Sequence, residues 1–156
     1  MEQLSEIDAL IIPGGESSAL LKLLDNEFRE GLKSTVSGGL PTLATCAGAI
    51  LLANQVSNPK QDSLQLLDIS IIRNDYGRQI NSFIASNLTK TGTEILPGIF
   101  IRAPKISEVE DNVDILATHE DSAVLIKQDN ILVATFHPEL NTKNYPIHQL
   151  LLSLVK

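Results

Sequence analysis

One cysteine, one histidine and one glutamate stand where a chain could carry out nucleophilic catalysis. Cys46 ends the apolar run LPTLAT (40–45) and is followed directly by the small-residue run AGA. A strand that turns straight into a helix at such a residue exposes the thiol, and the free amides of the helix favour a thiolate and bind developing negative charge. The alternative is an inert buried thiol, because free cysteine is often a core residue.

The segment ATFHPEL (134–140) carries the other two groups. His137 and Glu139 are two residues apart, so in extended backbone both side chains lie on the same face. A carboxylate in that position can hold an imidazole in one tautomer and stabilise its protonated form. The alternative is a surface loop after a strand. Thiol, imidazole and carboxylate together make a complete set for covalent catalysis.

A third segment, IIPGGESSALL (11–21), could bind a ligand through its backbone. A glycine pair after an apolar run lets the main chain approach a ligand closely, and the helix that follows offers free amides. The pattern is compatible with an oxyanion hole, with a carboxylate-binding loop, or with a plain strand-to-helix turn.

The elements that must position these groups alternate along the first part of the chain. The sequence predicts a buried strand at 7–13, an amphipathic helix at 16–32, a strand at 40–45 and a second helix at 47–56. Such alternation favours a parallel sheet with helices on its faces.

From about residue 64 the sequence predicts strands joined by polar loops. The predicted strands are 66–74, 80–88, 98–104, 114–120, 123–127 and 131–136, the last two forming a hairpin. The final segment, 144–156, predicts a helix with Asn144 as a cap and Pro146 in its first turn.

Composition narrows the function classes. The 156 residues predict one domain, 1–156, and the net charge of −7 argues against a nucleic-acid or anionic-membrane partner. A lone cysteine excludes an internal disulfide framework and a multi-thiolate zinc site. No signal-peptide pattern and no apolar run of ~20 residues occur, so we expect a soluble, cytoplasmic protein.

The remaining histidines and one arginine have plainer interpretations. We expect His119 to lie in a polar surface turn and His148 to be solvated on the last helix. Histidines without ligand spacing make a metal site improbable, and we expect no metal and no cofactor. Arg78 could serve substrate, fold or a partner surface.

Five segments taken together resemble one family. They are PGGESSALLKLL (13–24), TCAGAILLA (45–53), RNDYGRQINSF (73–83), GIFIRAPKI (98–106) and ATFHPEL (134–140). In this order they resemble the glutaminase subunits of pyridoxal 5′-phosphate synthase, which are class I glutamine amidotransferases with a Cys-His-Glu triad. The motifs GRQ-x-NSF and FIRAP separate that family from other amidotransferases.

The resemblance implies a role for each matching residue. Cys46 matches the nucleophile, His137 the general base and acid, and Glu139 the group that orients His137. The implied contacts to L-glutamine are Gly15, Glu16, Ser17, Arg73, Ile101 and Arg102, and the implied oxyanion hole uses Gly15 and Ala47. The implied fold is a flavodoxin-like, doubly wound, mostly parallel sheet with a C-terminal β-hairpin and helix.

The resemblance also implies an activity and a partner. The chain would hydrolyse L-glutamine and deliver ammonia to a separate synthase subunit, in a hetero-oligomer that makes pyridoxal 5′-phosphate (vitamin B6). The rival hypotheses are a glutaminase subunit of another pathway, such as histidine biosynthesis, and a catalytically silent interaction protein. Family members carry about thirty further N-terminal residues, so we expect the strand at "ALIIP" to have an open edge.

Overall fold

A computed structural model describes residues 2–73, 82–90, 96–141 and 145–156 of the chain. The described helices are α1 (Ser17–Leu23), α2 (Asn26–Ser37), α3 (Ala47–Leu52) and α4 (Pro146–Leu152), with 3-10 turns at Glu2–Ser5 and Pro138–Leu140. The described strands are β1 (Leu10–Ile12), β2 (Thr42–Thr45), β3 (Ala53–Ser57), β4 (Leu67–Ile72), β5 (Phe83–Lys90), β6 (Leu96–Phe100), β7 (Lys105–Val109), β8 (Asp114–His119), β9 (Ser122–Gln128) and β10 (Ile131–Ala134).

Within the described ranges, the larger sheet has the strand order β1-β2-β10-β9-β8-β5-β6. Strands β1, β2 and β10 are parallel to one another, and the pairs from β10 to β6 are antiparallel. The predicted α/β fold is confirmed, and β9 and β10 form the predicted hairpin. The larger sheet is mixed and not mostly parallel in the described residues, since its parallel pairs lie at the β1 end and the pairs beyond β10 are antiparallel. The parallel end matters most for function, because neighbouring parallel strands place their carboxyl ends at the same edge.

A smaller sheet, β3-β4-β7, replaces part of a predicted helix. The helix expected over 47–56 ends at Leu52, and Ala53–Ser57 instead forms β3, which pairs parallel with β4. Backbone pairing with a strand more than ten residues away outweighed the helical preference of the sequence. Strand β7 was not predicted, because KISEV is too polar for an apolar-run criterion.

The helix predicted over 16–32 is interrupted. α1 ends at Leu23, and α2 begins at Asn26 with Asp25 as its N-cap. The Phe28 N–H donates to Asp25 Oδ1 at 2.8 Å, which satisfies one free donor of the second helix and allows the chain to change direction. At the other terminus, α4 begins at Pro146 as predicted, while Asn144 lies outside the described residues.

The larger sheet is buried on both faces at β2 and β10. Alternate residues of β2 and β10 belong to two apolar clusters: Ala44 and Val133 pack with α2 and α3, whereas Leu43 and Leu132 pack with α4. β1 is the last described strand at its end of the sheet, and Ile11 is 49% exposed there. The open edge expected for this strand is therefore present in the described part of the chain.

Candidate active site

Cys46 lies on a sharp turn between a buried strand and a buried helix. Its φ of 48° and ψ of −105° fall outside the ordinary regions, and α3 begins at the next residue. The Cys46 N–H donates to the Ala134 carbonyl at 2.9 Å, which ties the turn to β10. A Cβ at Gly48 would lie 2.3 Å from the Ile12 carbonyl oxygen, so only glycine lets α3 pack against β1. This is the strand-to-helix elbow that the sequence predicts.

His137 follows the strand next to the elbow. Thr45 pairs with Ala134 in the parallel β2–β10 ladder, so Cys46 and His137 leave the sheet at the same edge. The His137 N–H donates to the Ile99 carbonyl at 2.9 Å, and its Nδ1 lies 2.7 Å from Glu139 Oε1. When Nδ1–H donates a hydrogen bond to the Glu139 carboxylate, the Nε2 atom of the imidazole keeps a lone pair that can accept a proton.

Gly14 separates the two side chains without filling the space between them. A Cβ built there would lie 2.6 Å from His137 Cε1 and 3.3 Å from Cys46 Cβ. One added carbon would thus contact both residues, which shows how closely the PGG loop (residues 13–15) approaches them. Glycine at this position lets the main chain lie against both catalytic side chains; its approach to a ligand stays a prediction.

One cavity of about 300 Å³ opens onto these groups, a size within the roughly 300–1,000 Å³ range of small-molecule sites. It is lined by Gly15, Glu16, Ser17, Cys46, Ala47, Ile50, Arg73, Ile101, Arg102 and His137. Of the site residues expected from the sequence, Glu139 alone does not line it, and that carboxylate bonds to His137 instead. Ile50, on α3, is a lining residue that the sequence analysis did not single out.

Charged side chains form one wall of the cavity, which we call the charged rim (Glu16, Arg73 and Arg102). Arg73 Nη2 donates to Glu16 Oε1 at 3.1 Å, and the Glu16 side chain is 61% exposed. The same carboxylate oxygen accepts from Ser18 Oγ at 3.0 Å. Arg102 is exposed and adopts a φ of 46°. The rim therefore offers both charge signs, as a zwitterionic ligand requires.

The Cys46 thiol is 6% exposed, and this burial is the largest influence on its acidity. Burial raises the pKa of Cys46 above its ordinary value; the Ala47 N–H and the Arg102 charge oppose the rise, while Glu139 and Glu16 add to it. The amide of the helix does favour a thiolate, as the sequence predicts. Burial outweighs it, so the free protein carries Cys46 mainly as a neutral thiol.

Two plainer expectations need correction. His119 ends β8 half-buried, with its ring 5.5 Å from Phe100 and 5.3 Å from Phe83, so it packs on aromatic rings rather than in a polar surface turn. His148 Nδ1 is buried, not solvated.

Arg78 lies outside the described residues. The described part of the chain holds no cluster of three metal-ligating side chains and no helix long and apolar enough to cross a membrane.

Comparison with known proteins places the chain in a family. The sequence matches the SNO glutamine amidotransferase family over residues 1–156. The chain belongs to that family.

Relatives within the family share nearly half of their residues with this member. Pyridoxal 5′-phosphate synthase subunit PdxT of Thermosipho africanus is 46% identical over 156 residues, covering 99% of this chain and 82% of the relative. The PdxT of Thermotoga maritima is 46% identical over 157 residues, covering 99% and 83%.

Solved structures agree with the amidotransferase fold. A crystal structure of a glutamine amidotransferase superposes with a TM-score of 0.89 at 37% identity, covering 99% of this chain and 82% of the other. Another glutamine amidotransferase, from Thermotoga maritima, is 14% identical with a TM-score of 0.59, covering 88% of this chain and 59% of the other. At that identity the second likeness shows the fold alone.

Proposed function

We propose that this chain, as one amidotransferase domain over residues 1–156, hydrolyses L-glutamine to L-glutamate and ammonia and passes the ammonia to a pyridoxal 5′-phosphate synthase subunit. The observation that carries the proposal is the juxtaposition of the Cys46 elbow with the His137–Glu139 pair at one cavity. Membership of a glutamine amidotransferase family and the PdxT relatives support the substrate.

The proposed reaction begins with a proton transfer, because burial keeps Cys46 protonated. His137 Nε2 accepts the thiol proton as the sulfur attacks the side-chain amide carbon of glutamine. The carbonyl oxygen becomes an oxyanion that the amides of Gly15 and Ala47 stabilise. His137 then returns the proton to the leaving nitrogen, the C–N bond breaks, and ammonia departs from a glutamyl thioester.

The second half of the reaction regenerates the thiol. His137 removes a proton from a water molecule, which attacks the thioester carbon and displaces the Cys46 sulfur. The sulfur regains the proton from the imidazolium, and glutamate leaves. The Glu139 carboxylate orients the imidazole and stabilises its charged form.

The charged rim supplies substrate recognition in this proposal. Arg73 or Arg102 binds the α-carboxylate of glutamine, while acceptor oxygens nearby suit the α-ammonium group. Ile101 contributes an apolar contact to the substrate chain. Local cations are needed because the protein as a whole carries a net charge of −7.

The proposed partner is a separate synthase subunit, in keeping with the name of the PdxT relatives, which are themselves called subunits. Neither nucleic acid nor a membrane takes part. We place the reaction in the cytoplasm, where reducing conditions keep a single catalytic thiol free.

Replacing Cys46 with serine tests this function. Cys46→Ser should abolish ammonia release from glutamine, because serine lacks a thiol's acidity and nucleophilicity at neutral pH. The variant mixed with the synthase subunit should still support pyridoxal 5′-phosphate formation from added ammonium chloride. Retained glutaminase activity in the variant removes Cys46 from the mechanism, and a wild-type chain inactive with its partner overturns the proposed function.

A further inference from the structure

Ser17 presents its hydroxyl to the cavity in a defined orientation. Ser17 is 2% exposed, begins α1 and lines the cavity together with Cys46. Its Oγ donates to Gln61 Oε1 at 2.9 Å, across 44 residues of sequence. A serine hydroxyl has one proton, so once that proton is given to Gln61 the oxygen offers only lone pairs to a ligand.

The segment that carries Gln61 is anchored to the helix that follows the nucleophile. It lies between β3 and β4, where the Leu64 N–H donates to the Leu51 carbonyl of α3 at 2.7 Å. Ser63 Oγ donates to the Ala53 carbonyl at 2.6 Å. Gln61 therefore belongs to the same packed unit as the Cys46 elbow, and its contact with Ser17 joins that unit to the start of α1.

The amide nitrogen of Gln61 indicates that this side chain does more than fill space in the fold. Gln61 Nε2 is buried and has no hydrogen-bond partner among the described residues. A buried amide nitrogen without a partner is unfavourable, so methionine, of similar length and without that donor, would suit the position better if it served packing alone. The feature that glutamine adds is the acceptor oxygen that faces Ser17.

We propose that Gln61 is a positioning residue, which holds the Ser17 hydroxyl as a hydrogen-bond acceptor for the α-ammonium group of glutamine. The carboxylate end of the substrate and the developing oxyanion both need donors, which leaves the α-ammonium and the side-chain NH2 as groups that need an acceptor. The ammonium is charged and has three N–H donors, so it gains more from an obligate acceptor than the neutral amide does. Gln61 thereby favours an α-amino acid over an amide that lacks the amino group. The inference rests on the proposed function.

The test compares two substrates, L-glutamine and glutaramate, which lacks the α-amino group. Steady-state ammonia release is measured with the synthase subunit for wild type, Gln61→Met, Gln61→Glu and Ser17→Ala. Gln55→Met is the matched control, since Gln55 is exposed on β3 and lines the same polar surface cavity as Gln61. The melting temperature of each variant is measured as well. If Gln61→Met does not fold, the same kinetics are measured with Gln61→Ala in its place.

Gln61→Met should raise KM for glutamine about tenfold, the scale of a hydrogen bond to a charged group, with kcat within about twofold. KM for glutaramate should not change. Gln61→Glu keeps an acceptor for Ser17 and should keep the wild-type preference for glutamine, as should Gln55→Met. Adding Gln61→Met to Ser17→Ala should cost nothing further, because Gln61 acts on the substrate only through the Ser17 hydroxyl.

Three results overturn the inference while leaving the proposed function intact. One is a Gln61→Met variant in which KM rises equally for both substrates, or in which kcat falls and KM does not rise. Another is a Gln61→Glu variant as impaired as Gln61→Met, and the third is additive losses in the double variant. Failure of the proposed function looks different, because then the wild-type chain releases no ammonia from glutamine in the presence of its partner.

Discussion

The elbow around Cys46 and the charged rim opposite it are built in contrasting ways. Cys46 and Ala47 are 6% and 1% exposed, and the backbone at Gly48 leaves no space for a methyl group. In the rim, Arg102 is exposed, and the Glu16 side chain, which is 61% exposed, pairs with the Arg73 side chain, which is 14% exposed. Sterics fix the bond-breaking groups, whereas charges that are in part solvated, and that salt screens to that extent, arrange recognition.

This contrast predicts which substitutions damage turnover and which damage binding. A group held by packing should affect kcat when it is removed or displaced, because the reacting atoms lose their geometry. A group held by solvated charge should affect KM, because ground state and transition state lose the same contact. The following predictions run from the largest expected effect to the smallest.

His137→Ala should lower kcat by ~100- to 10,000-fold, because the imidazole moves protons in both halves of the reaction. Glu139→Ala should cost less, since that carboxylate only orients and stabilises the imidazole through the 2.7 Å contact. Steady-state kinetics with the synthase partner, together with melting temperatures, makes the comparison. A folded Glu139→Ala variant that is the more impaired of the two would reverse the roles assigned here.

Gly14→Ala should lower kcat about 100-fold, because its Cβ would lie 2.6 Å from His137 Cε1 and displace the ring. The control is the melting temperature, which should stay close to that of the wild type, because the added methyl group is expected to move the imidazole without unfolding the domain. Unchanged kcat would mean that the PGG loop yields easily, and the elbow would then not be sterically fixed.

Substitutions of Arg102 should separate charge from geometry in the rim. Arg102→Lys keeps the charge but loses the planar fork, so KM for glutamine should rise by about tenfold while kcat changes little. Arg102→Gln also removes the cation that lowers the pKa of Cys46, so the pH dependence of Cys46 alkylation by iodoacetamide should move to higher pH. Identical pH profiles for the lysine and glutamine variants would falsify this electrostatic contribution.

Thr135→Val should stabilise the protein by about 1 kcal/mol without changing kcat or KM. Thr135 is fully buried beside Phe136, and its Oγ1 has no partner among the described residues. Valine keeps the shape and removes the orphaned hydroxyl. Urea unfolding measures the change, and a loss of stability would mean that the hydroxyl is satisfied in solution.

Local sequence patterns predicted the elements that carry the chemistry. The strands before Cys46 and His137 are short apolar runs that end at small or turn-forming residues, and both patterns are local. The parallel pairing of β2 with β10 then brings the two residues to one edge. Helix periodicity gave a wrong prediction where pairing with a distant strand determined the structure. Ala53 begins β3, which pairs with β4, and does not continue the helix.

The support for the recognition groups could not be predicted in the same way. Ser17 and Gln61 are 44 residues apart, and Gln61 lies in a polar loop with no periodic signal. Their contact depends on the anchoring of that loop to α3, which is a tertiary property. Asp25 was in principle recognisable as a helix cap, but the apolar spacing of Leu24 and Phe28 continued across it.

Burial of the Cys46 thiol also affects how readily oxidants inactivate the protein between turnovers. Peroxides and other oxidants react with thiolates that are accessible, and a cysteine carried to sulfinic acid is lost in most proteins. Cys46 is 6% exposed and its pKa is raised by burial, so little of the thiolate is present and accessible to oxidants in the resting protein. The nucleophile is thus stored in an inert state, and its exposure to damage is confined to the moments when His137 holds its proton.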